Sequence, residues 1–338
     1  MRKRQGNMHR RAKRPLFERL LSRSTRDFIH EGRETPGYSL YDWLHGYIYA
    51  RFPYLYIGIG TGEHPLAKSL RPLIAGLSRL FSRRRTSTRI IAPVHSAQDA
   101  THTIADGYHG KVVPLAAAEQ LVTVTHKITV NEPLRLPNLE HIIPYVRARD
   151  IILRNPDHMI ALDCPCRSSR QNPCLPLDVC LIIGEPFASF VAEHHPNRSR
   201  RITPQEAVDI LKAEDERGHV HHAFFKDAML GRFYAICNCC ACCCGAMQAQ
   251  RRGTPMLTSS GYVSQVDDDL CLGCGNCTEF CQFGALSVLN GQAHVDEAKC
   301  MGCGVCLAHC EQGALSLRRE PSKGEPLEIF NLISSLEQ

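Results

Sequence analysis

A cysteine pattern near the carboxy end of the chain occurs twice, and it limits the possible folds more than any other feature. In each copy three cysteines are separated by two residues, and a fourth follows shortly after. The second copy lies 29 residues after the first, and Gly284-Ala-Leu286 recurs at the same shift as Gly313-Ala-Leu315. A uniform shift of this kind indicates the duplication of one supersecondary unit. The eight cysteines are Cys271, Cys274, Cys277, Cys281, Cys300, Cys303, Cys306 and Cys310.

This spacing favours iron–sulfur clusters over zinc. Three evenly spaced thiolates fit three corners of a 4Fe–4S cube, and in the bacterial arrangement the fourth ligand belongs to the other motif. A zinc ribbon would instead present two Cys-x-x-Cys pairs. Glycines between the cysteines allow the backbone to wrap closely around sulfur. The predicted ligand sets are Cys271, Cys274, Cys277 and Cys310 for one cluster, and Cys300, Cys303, Cys306 and Cys281 for the other.

The segment from Gly261 to Arg319 resembles the bacterial two-cluster ferredoxin family. The resemblance implies a pair of β-hairpins, two short helices and two 4Fe–4S clusters close enough for rapid electron exchange. One departure is visible, because the family usually has proline after the fourth cysteine and this chain has Gln282 and Glu311 there. Proline is not a ligand, so we expect cluster binding to survive the change.

Ten further cysteines lie in the middle of the chain. Such density invites oxidation unless the thiols are used, which predicts further iron–sulfur clusters, zinc or a redox-active thiol site. Two arrangements are open: the first four cysteines bind a metal by themselves, or the two groups interleave. Neighbours such as Cys239 and Cys240 normally point apart, so not all can serve one ion. The ten are Cys164, Cys166, Cys174, Cys180, Cys237, Cys239, Cys240, Cys242, Cys243 and Cys244.

The middle region and the carboxy-terminal module together resemble a family of 4Fe–4S binding proteins of anaerobic bacteria that has no established activity. The resemblance rests on the Cys-x-Cys-Arg loop at Cys164–Arg167, the Gly-His-Val-His segment at 218–221, the Cys-Asn-Cys-Cys run that starts at Cys237, and the module that follows. His219 and His221, just before that run, are candidate metal ligands or proton carriers.

We predict a multi-domain α+β protein, in which a mixed α/β cysteine-rich domain precedes the ferredoxin-type module. The predicted divisions are a basic, aromatic-rich region at 1–90, the cysteine-rich domain at 91–255, the ferredoxin domain at 256–320 and a tail at 321–338. A capping box at Thr203 and Glu206 predicts a helix that ends near Gly218 and packs against the metal-bearing loops. Short β-branched runs predict strands at 121–124 and 128–130.

Charge and composition restrict localisation and partners. Many cysteines without an export signal indicate a reducing, cytoplasmic setting and metal binding. Residues 1–33 carry a net charge of +8, while the whole chain has +6. This basic arm suits peripheral contact with an anionic membrane, whereas no nucleic-acid reader is evident. The aromatic segment Tyr38–Gly60 is interrupted by charges and proline, so it predicts a buried element, not a membrane span.

The function predicted from these patterns is one-electron transfer to or from a redox partner protein. The alternative is an oxidoreductase that uses a cysteine-ligated cluster or thiol site of the middle domain. That enzyme would reduce a disulfide or a small substrate with electrons from the ferredoxin clusters. The sequence favours the carrier over the enzyme, because no other catalytic motif is present.

Overall fold

The structure, a computed structural model, describes residues 21–67, 69, 108–123 and 157–334. The helices in these ranges are α1 (Arg23–Glu34), α2 (Leu40–Arg51), α3 (Pro53–Gly60), α4 (Leu115–Thr123), α5 (Pro165–Ser168), α6 (Phe187–His194), α7 (Pro204–Glu216), α8 (Gly245–Arg251), α9 (Asn276–Phe280), α10 (Val305–Ala308) and α11 (Ile329–Ser334). The strands are β1 (Tyr108–Val113), β2 (Met159–Leu162), β3 (Cys180–Ile183), β4 (Ser199–Ile202), β5 (Val220–Lys226), β6 (Arg232–Cys239), β7 (Leu257–Thr258), β8 (Tyr262–Val266), β9 (Leu286–Leu289), β10 (Gln292–Val295) and β11 (Leu315–Arg319).

A seven-stranded sheet organises the middle of the chain. Its strand order is β4-β2-β3-β6-β5-β1-β7. The strand pairs are antiparallel except for β1 with β7, which run parallel. The prediction of a mixed α and β architecture is therefore confirmed.

Each face of this sheet carries its own hydrophobic core. On one face α4 and α7 pack against alternate strand residues such as Ala223 and Phe225. On the other face α1, α2 and α6 surround Phe224 and Tyr234. Side chains of a strand alternate between faces, so β5 contributes to both cores. The middle-region cysteines that enter a core belong to the second face.

The helix predicted after Thr203 is present as α7. The Thr203 hydroxyl accepts a hydrogen bond from the N–H of Glu206, and the Glu206 carboxylate accepts one from the N–H of Thr203. Gly218 follows the helix with a positive φ of 79°. The predicted packing against the metal-bearing loops is met at the end of the helix, where Glu214 pairs with Arg167 of the loop Cys164–Arg167. The apolar stripe of α7 covers the face of the sheet opposite to the cysteines, because Ala207 and Leu211 bury into the α4 side.

The predicted strand at 121–124 was wrong, because Leu121 lies in helix α4. Leu121 and Val122 are buried together with Ala117 and Ala118, one turn earlier, which is the spacing of a helix face. The helix-forming run that begins at Leu115 decides the conformation. The predicted strand at 128–130 and residues 1–20 of the basic arm lie outside the described residues.

The aromatic segment Tyr38–Gly60 forms α2 and α3 and is not fully buried. Tyr49 packs in the second core, whereas Leu40 is 80% exposed and Leu44 is 48% exposed. The segment therefore has a packed face and an exposed apolar face, and the prediction of a buried element holds only for the first. Within the described ranges, no helix has both the length and the apolar character needed to span a bilayer.

The carboxy-terminal module contains two small sheets and the short helices α9 and α10. β9 and β10 form an antiparallel hairpin, while β8 pairs with β11. The resemblance implied two hairpins, and this detail was wrong. The first and last strands of the module pair with each other, which brings the two copies of the duplicated unit together.

Candidate metal centres

The structure brings Cys310 to the three cysteines of the first motif. All four sulfur-bearing side chains line one cavity of about 20 Å³. Burial raises the pKa of Cys277, and the neighbouring thiols of Cys274, Cys310 and Cys271 raise it further. Closely spaced buried thiols disfavour one another's ionisation unless a cation is present. The site is therefore suited to a positively charged metal centre.

The second motif has the reciprocal arrangement, with Cys281 supplied from the first. Burial raises the pKa of Cys303, and the neighbouring thiols of Cys306, Cys281 and Cys300 raise it further. Cys300 and Cys281 also pack in one small apolar cluster with Val263. Each group of four thus contains three cysteines of one motif and one of the other.

Backbone N–H groups point at sulfur atoms in a pattern that repeats with the duplication. Such hydrogen bonds stabilise thiolate charge and tune iron–sulfur centres. Each donor in one half has a counterpart 29 residues away in the other half. The four bonds run from Ala285 to Cys281 (3.2 Å), from Ala314 to Cys310 (3.3 Å), from Ala293 to Cys271 (3.4 Å) and from Ser264 to Cys300 (3.4 Å).

Two glycines are required by the close approach of the cysteine loops to neighbouring backbone. Gly273 and Gly302 both have a φ of 63°. A Cβ on Gly273 would lie 2.0 Å from the carbonyl oxygen of Gly291, and one on Gly302 would lie 2.2 Å from that of Tyr262. Only glycine fits both the backbone conformation and the space.

The rings of Phe280 and His309 stack between the two halves. Their centroids are 3.5 Å apart and their planes differ by 2°. These residues are equivalent in the duplication, and each directly precedes the fourth cysteine of its motif, Cys281 or Cys310. The stack fixes the positions from which both cysteines cross to the opposite half.

Four of the ten middle-region cysteines form a compact group, which we call the outer thiol set. Their sulfur atoms all lie within 4.8 Å of one another. The Sγ of Cys174 lies 3.3 Å from that of Cys242 and 3.6 Å from that of Cys240. Cys242 is exposed, and Cys240 and Cys243 are buried. The outer thiol set comprises Cys174, Cys240, Cys242 and Cys243.

The side chains of two residues, Arg170 and Gln248, hold the loop that carries this set. Arg170 donates two hydrogen bonds to the carbonyl of Cys243, and its guanidinium also pairs with Glu63 at 2.6 Å. Gln248 donates to the carbonyl of Cys242. These bonds fix the loop without using any thiol, so the sulfur atoms remain available as ligands.

The other six cysteines form a closed ring of neighbouring thiols, which we call the inner thiol ring. Cys180 and Cys237 lie opposite each other on β3 and β6, and their sulfur atoms are 3.8 Å apart. The contacts continue through Cys239, which follows on the same face of β6, and through the turns that begin α5 and α8. In ring order the members are Cys164, Cys180, Cys237, Cys239, Cys244 and Cys166.

Helix N-termini direct backbone donors at this ring. The N–H of Arg167 lies 3.5 Å from the Sγ of Cys164. The N–H groups of Gly245 and Met247 make corresponding hydrogen bonds to Cys166 and Cys244. The sulfur environment therefore resembles that of the carboxy-terminal sites, where backbone donors also face thiols.

Arg167 places a buried positive charge beside the ring. It is 1% exposed, and its Nη2 lies 2.5 Å from the Glu214 carboxylate and 3.0 Å from the Asn238 carbonyl. Burial opposes the ionisation of Glu214. Hydrogen bonding to His219 and the charge of Arg167 outweigh that effect and hold the pKa of Glu214 below its usual value. The ion pair fixes Arg167, whose charge interacts with Cys164.

The inner thiol ring encloses a cavity of about 70 Å³. Apolar side chains including Phe187 and Phe190 form much of the remaining wall, together with Tyr234. The hydroxyl of Tyr234 lies 2.9 Å from that of Tyr49. Cys240 and Cys243 of the outer thiol set line the same cavity, so the two groups of thiols share a wall.

The sequence left open whether the first four middle-region cysteines form a site by themselves or interleave with the second group, and the structure distinguishes the two arrangements. Cys174 lies with the 240–243 loop, while Cys164, Cys166 and Cys180 belong to the ring, so the two cysteine groups interleave. Cys239, the last residue of β6, belongs to the inner thiol ring, whereas Cys240, which follows the strand, belongs to the outer thiol set. The sequence missed that Cys180 pairs with Cys237, because that contact depends on a non-local strand pairing.

The predicted histidine candidates do not reach the thiols. His219 joins the Glu214–Arg167 network, and His221 lies 2.6 Å from the side-chain oxygen of Asn238. The histidine that faces the ring side of the sheet is His222, which is fully buried and paired in register with Cys237. Because side chains alternate between the two faces of a strand, recognising β5 in the sequence would have placed His222, and not His221, on the ring side of the sheet.

Comparison with known proteins identifies the module that carries the repeated motif. Residues 264–311 match the family described as 4Fe-4S dicluster domain. This segment is therefore an iron–sulfur domain at the carboxy end of a cysteine-rich chain. A search of curated proteins found no match to the chain.

Proposed function

We propose that this protein is an electron-transfer protein that binds two 4Fe–4S clusters in its carboxy-terminal module. The ligands would be Cys271, Cys274, Cys277 and Cys310 for the first cluster, and Cys300, Cys303, Cys306 and Cys281 for the second. The observation that carries the proposal is the exchange of the fourth cysteine between halves, with N–H···S hydrogen bonds repeated at the same shift. Bound clusters of this kind supply reversible one-electron transfer.

The chain's own residues support that chemistry in three ways. Backbone donors such as the N–H of Ala285 stabilise the thiolates. Gly273 and Gly302 let the loops close on the sites. The Phe280–His309 stack holds the two halves at a fixed separation, so that little rearrangement accompanies a change of charge.

The first site provides an edge at which a redox partner protein can approach. Cys274 is exposed, and its neighbour Leu272 is 70% exposed. Cys300 and Cys306 of the second site are buried. We infer that the partner docks against the first site, because a short distance from surface to cluster favours electron exchange. Peripheral membrane contact through the basic residues 1–33 and a cytoplasmic location are further parts of this proposal.

Oxygen-free purification followed by iron, sulfide and spectroscopic analysis tests this function. We expect at least about eight iron atoms and eight inorganic sulfides per chain, as two cubes require. Reduction by dithionite should produce the electron paramagnetic resonance of two interacting reduced clusters, and reoxidation should restore the original spectrum. Colourless protein with zinc and no sulfide would contradict the proposal.

A second candidate function, reduction of a small substrate in the middle region, is favoured by the cavity itself. The Tyr234 hydroxyl lies beside the thiol-lined space, and the Tyr49 hydroxyl is within hydrogen-bond distance of it. Burial raises the pKa of Tyr234, so its hydroxyl stays protonated and can donate a hydrogen bond to a substrate that receives electrons from the carboxy-terminal module.

Reoxidation of the dithionite-reduced protein by nitrite, sulfite or oxidised glutathione tests the second candidate. An enzyme should be reoxidised by one of these compounds far faster than a simple carrier, and Tyr234→Phe should slow this step without changing the iron content. Equal, slow reoxidation by all three in both proteins would leave electron carriage as the function.

A further inference from the structure

The two groups of middle-region thiols differ in the spacing of their sulfur atoms, and this spacing determines which kind of metal centre each group can bind. Four thiolates around one zinc ion lie about 3.8 Å apart, because each Zn–S bond is about 2.3 Å long in a tetrahedron. The outer thiol set fits this spacing, with Sγ–Sγ separations of 3.3, 3.6 and 3.8 Å between its members. A cube would need wider spacing, because each thiolate binds a different iron.

The inner thiol ring is wider. Its members follow one another around a cavity, where Cys180 touches Cys237, but among the described cysteines only the outer thiol set has all its sulfur atoms within 4.8 Å. A single ion in the cavity could not reach thiols on opposite sides of the ring. Iron–sulfur clusters need such a separation, and they also need the exclusion of water that Phe187 and Phe190 provide.

Two further observations at the ring point to an anionic group inside it. Arg167 lines the cavity, is 1% exposed, and its Nε makes no hydrogen bond within the described residues. The Sγ atoms of Cys180 and Cys237 lie 3.8 Å apart in the ring, so bare thiolates at this distance would repel each other. Metal ions would remove that repulsion, and the residual negative charge would face a fixed guanidinium.

We propose that the middle region holds two different metal centres side by side: a single zinc ion in the outer thiol set, and a third 4Fe–4S cluster in the inner thiol ring. Four of the six ring thiols would ligate the cluster, which requires neighbours such as Cys180 and Cys237 to move apart from their present Sγ–Sγ distance of 3.8 Å. The zinc ion fixes the loop that closes the ring, since Cys240 and Cys243 line the ring's cavity as well. This inference deepens the proposed electron-transfer function, to which it adds a third electron site.

Metal and sulfide analysis of the oxygen-free full-length protein and three variants tests the proposal. The unaltered chain should contain about twelve iron atoms, about twelve sulfides and about one zinc. Cys180→Ser with Cys237→Ser should remove about four iron atoms and keep the zinc. Cys174→Ser with Cys242→Ser should remove the zinc and keep the iron. Cys274→Ser is the matched control in the carboxy-terminal module, where it should remove about four other iron atoms.

The possible results separate this inference from the proposed function. About eight iron atoms that fall with Cys274→Ser but not with the ring variant would overturn the ring cluster and leave the proposed function intact. About four iron atoms that fall only with the ring variant would support the ring cluster and contradict the proposed function. Loss of zinc and iron together in either double variant would show one shared site and overturn the division.

X-ray absorption at the zinc edge needs no variant to fold. The unaltered protein should show four sulfur neighbours at about 2.3 Å and no nitrogen or oxygen ligand. Absence of zinc, or coordination by nitrogen or oxygen, would overturn the assignment of the outer thiol set.

Discussion

The side-chain oxygen of Gln282 accepts a hydrogen bond from the backbone N–H of Ala241, with 2.9 Å between the two atoms. Gln282 directly follows Cys281, and Ala241 lies between Cys240 and Cys242. One side chain therefore connects a cysteine of the carboxy-terminal module to the outer thiol set. The side-chain nitrogen of Gln282 donates to the carbonyl of Gly218 as well. The proline that two-cluster ferredoxins usually have at this position could make neither bond.

We expect Gln282→Ala to loosen the contact between module and middle region without removing metal. Each lost hydrogen bond should cost about 1 kcal/mol, and the melting temperature should fall by about 2–4 °C for each kcal/mol. The amide of Ala241 should exchange faster with deuterium, because its acceptor is gone. Differential scanning calorimetry and hydrogen-exchange mass spectrometry on the oxygen-free protein measure both effects.

Glu311→Ala is the matched control, since Glu311 occupies the equivalent position after Cys310 and is exposed. It should change neither the melting temperature nor the exchange at Ala241. If the two variants behave alike, Gln282 does not connect the two regions.

Each site takes its fourth ligand from the other half of the module. The iron losses of two cysteine substitutions should therefore add only when the two cysteines belong to different sites. Cys271→Ser and Cys310→Ser belong to the same site, so the double variant should lose the same four or so iron atoms as either single variant. Cys271→Ser combined with Cys281→Ser should lose about eight, because two sites are damaged. Iron analysis with electron paramagnetic resonance distinguishes the two results. The opposite pattern would show that each motif supplies all four of its own ligands.

The sequence predicted the carboxy-terminal module well, because its information is local and repeated. The spacing of Cys271, Cys274 and Cys277 defines a loop, and the uniform shift identifies the partner motif. The middle region was harder to predict, because its sites depend on contacts between distant segments. Cys180 meets Cys237 only because β3 pairs with β6, and no spacing rule reveals that pairing.

Local patterns also failed where two structures fit the same residues. The β-branched run that ends α4 fits the pattern of a strand, but Leu121 and Val122 equally complete a helix face that begins at Ala117. The role of Gln282 could not be seen at all, because it depends on the position of Ala241 in space. The departure from the family's proline was the one signal that pointed to it.

Arg167→Met should destabilise the protein strongly, because it leaves the Glu214 carboxylate buried with part of its compensation removed. Both side chains are 1% exposed. Breaking such a pair costs about 3–5 kcal/mol. Adding Glu214→Gln should recover part of the loss, since the uncompensated charge disappears. Chemical denaturation of the oxygen-free protein measures the free energy of unfolding.

Arg200→Met provides the comparison for that experiment. Arg200 pairs with Asp178 at 3.0 Å, but both side chains are at least 40% exposed, so the cost should stay below about 1 kcal/mol. A similar loss in both arginine variants, or no recovery with Glu214→Gln, would show that Arg167 acts through packing and not through its charge.

Lys111 should make stability depend on pH in the alkaline range. It is 0% exposed, and its ammonium donates to the carbonyl of Glu325 at 2.7 Å. Burial, assisted by the charge of Arg319, lowers its pKa to about 7, whereas an unfolded lysine titrates near about 10.4. Between about pH 7 and about pH 10.4 the unfolded chain carries a proton on Lys111 that the native protein lacks. The free energy of unfolding should therefore rise with pH in this window, by up to about 1.4 kcal/mol per unit.

Lys111→Met should abolish this slope and raise stability most at neutral pH and below, where the native protein must otherwise bury a charged ammonium. Unfolding free energies measured from pH 7 to 10 for both proteins give the difference directly, and effects shared by the metal sites cancel. Lys212→Met is the control, because Lys212 is 57% exposed beside Glu119 and should leave the slope unchanged. A variant less stable than the parent at pH 7, with the slope retained, would mean that Lys111 stays charged in the native state and that its bond to Glu325 outweighs the cost of burial.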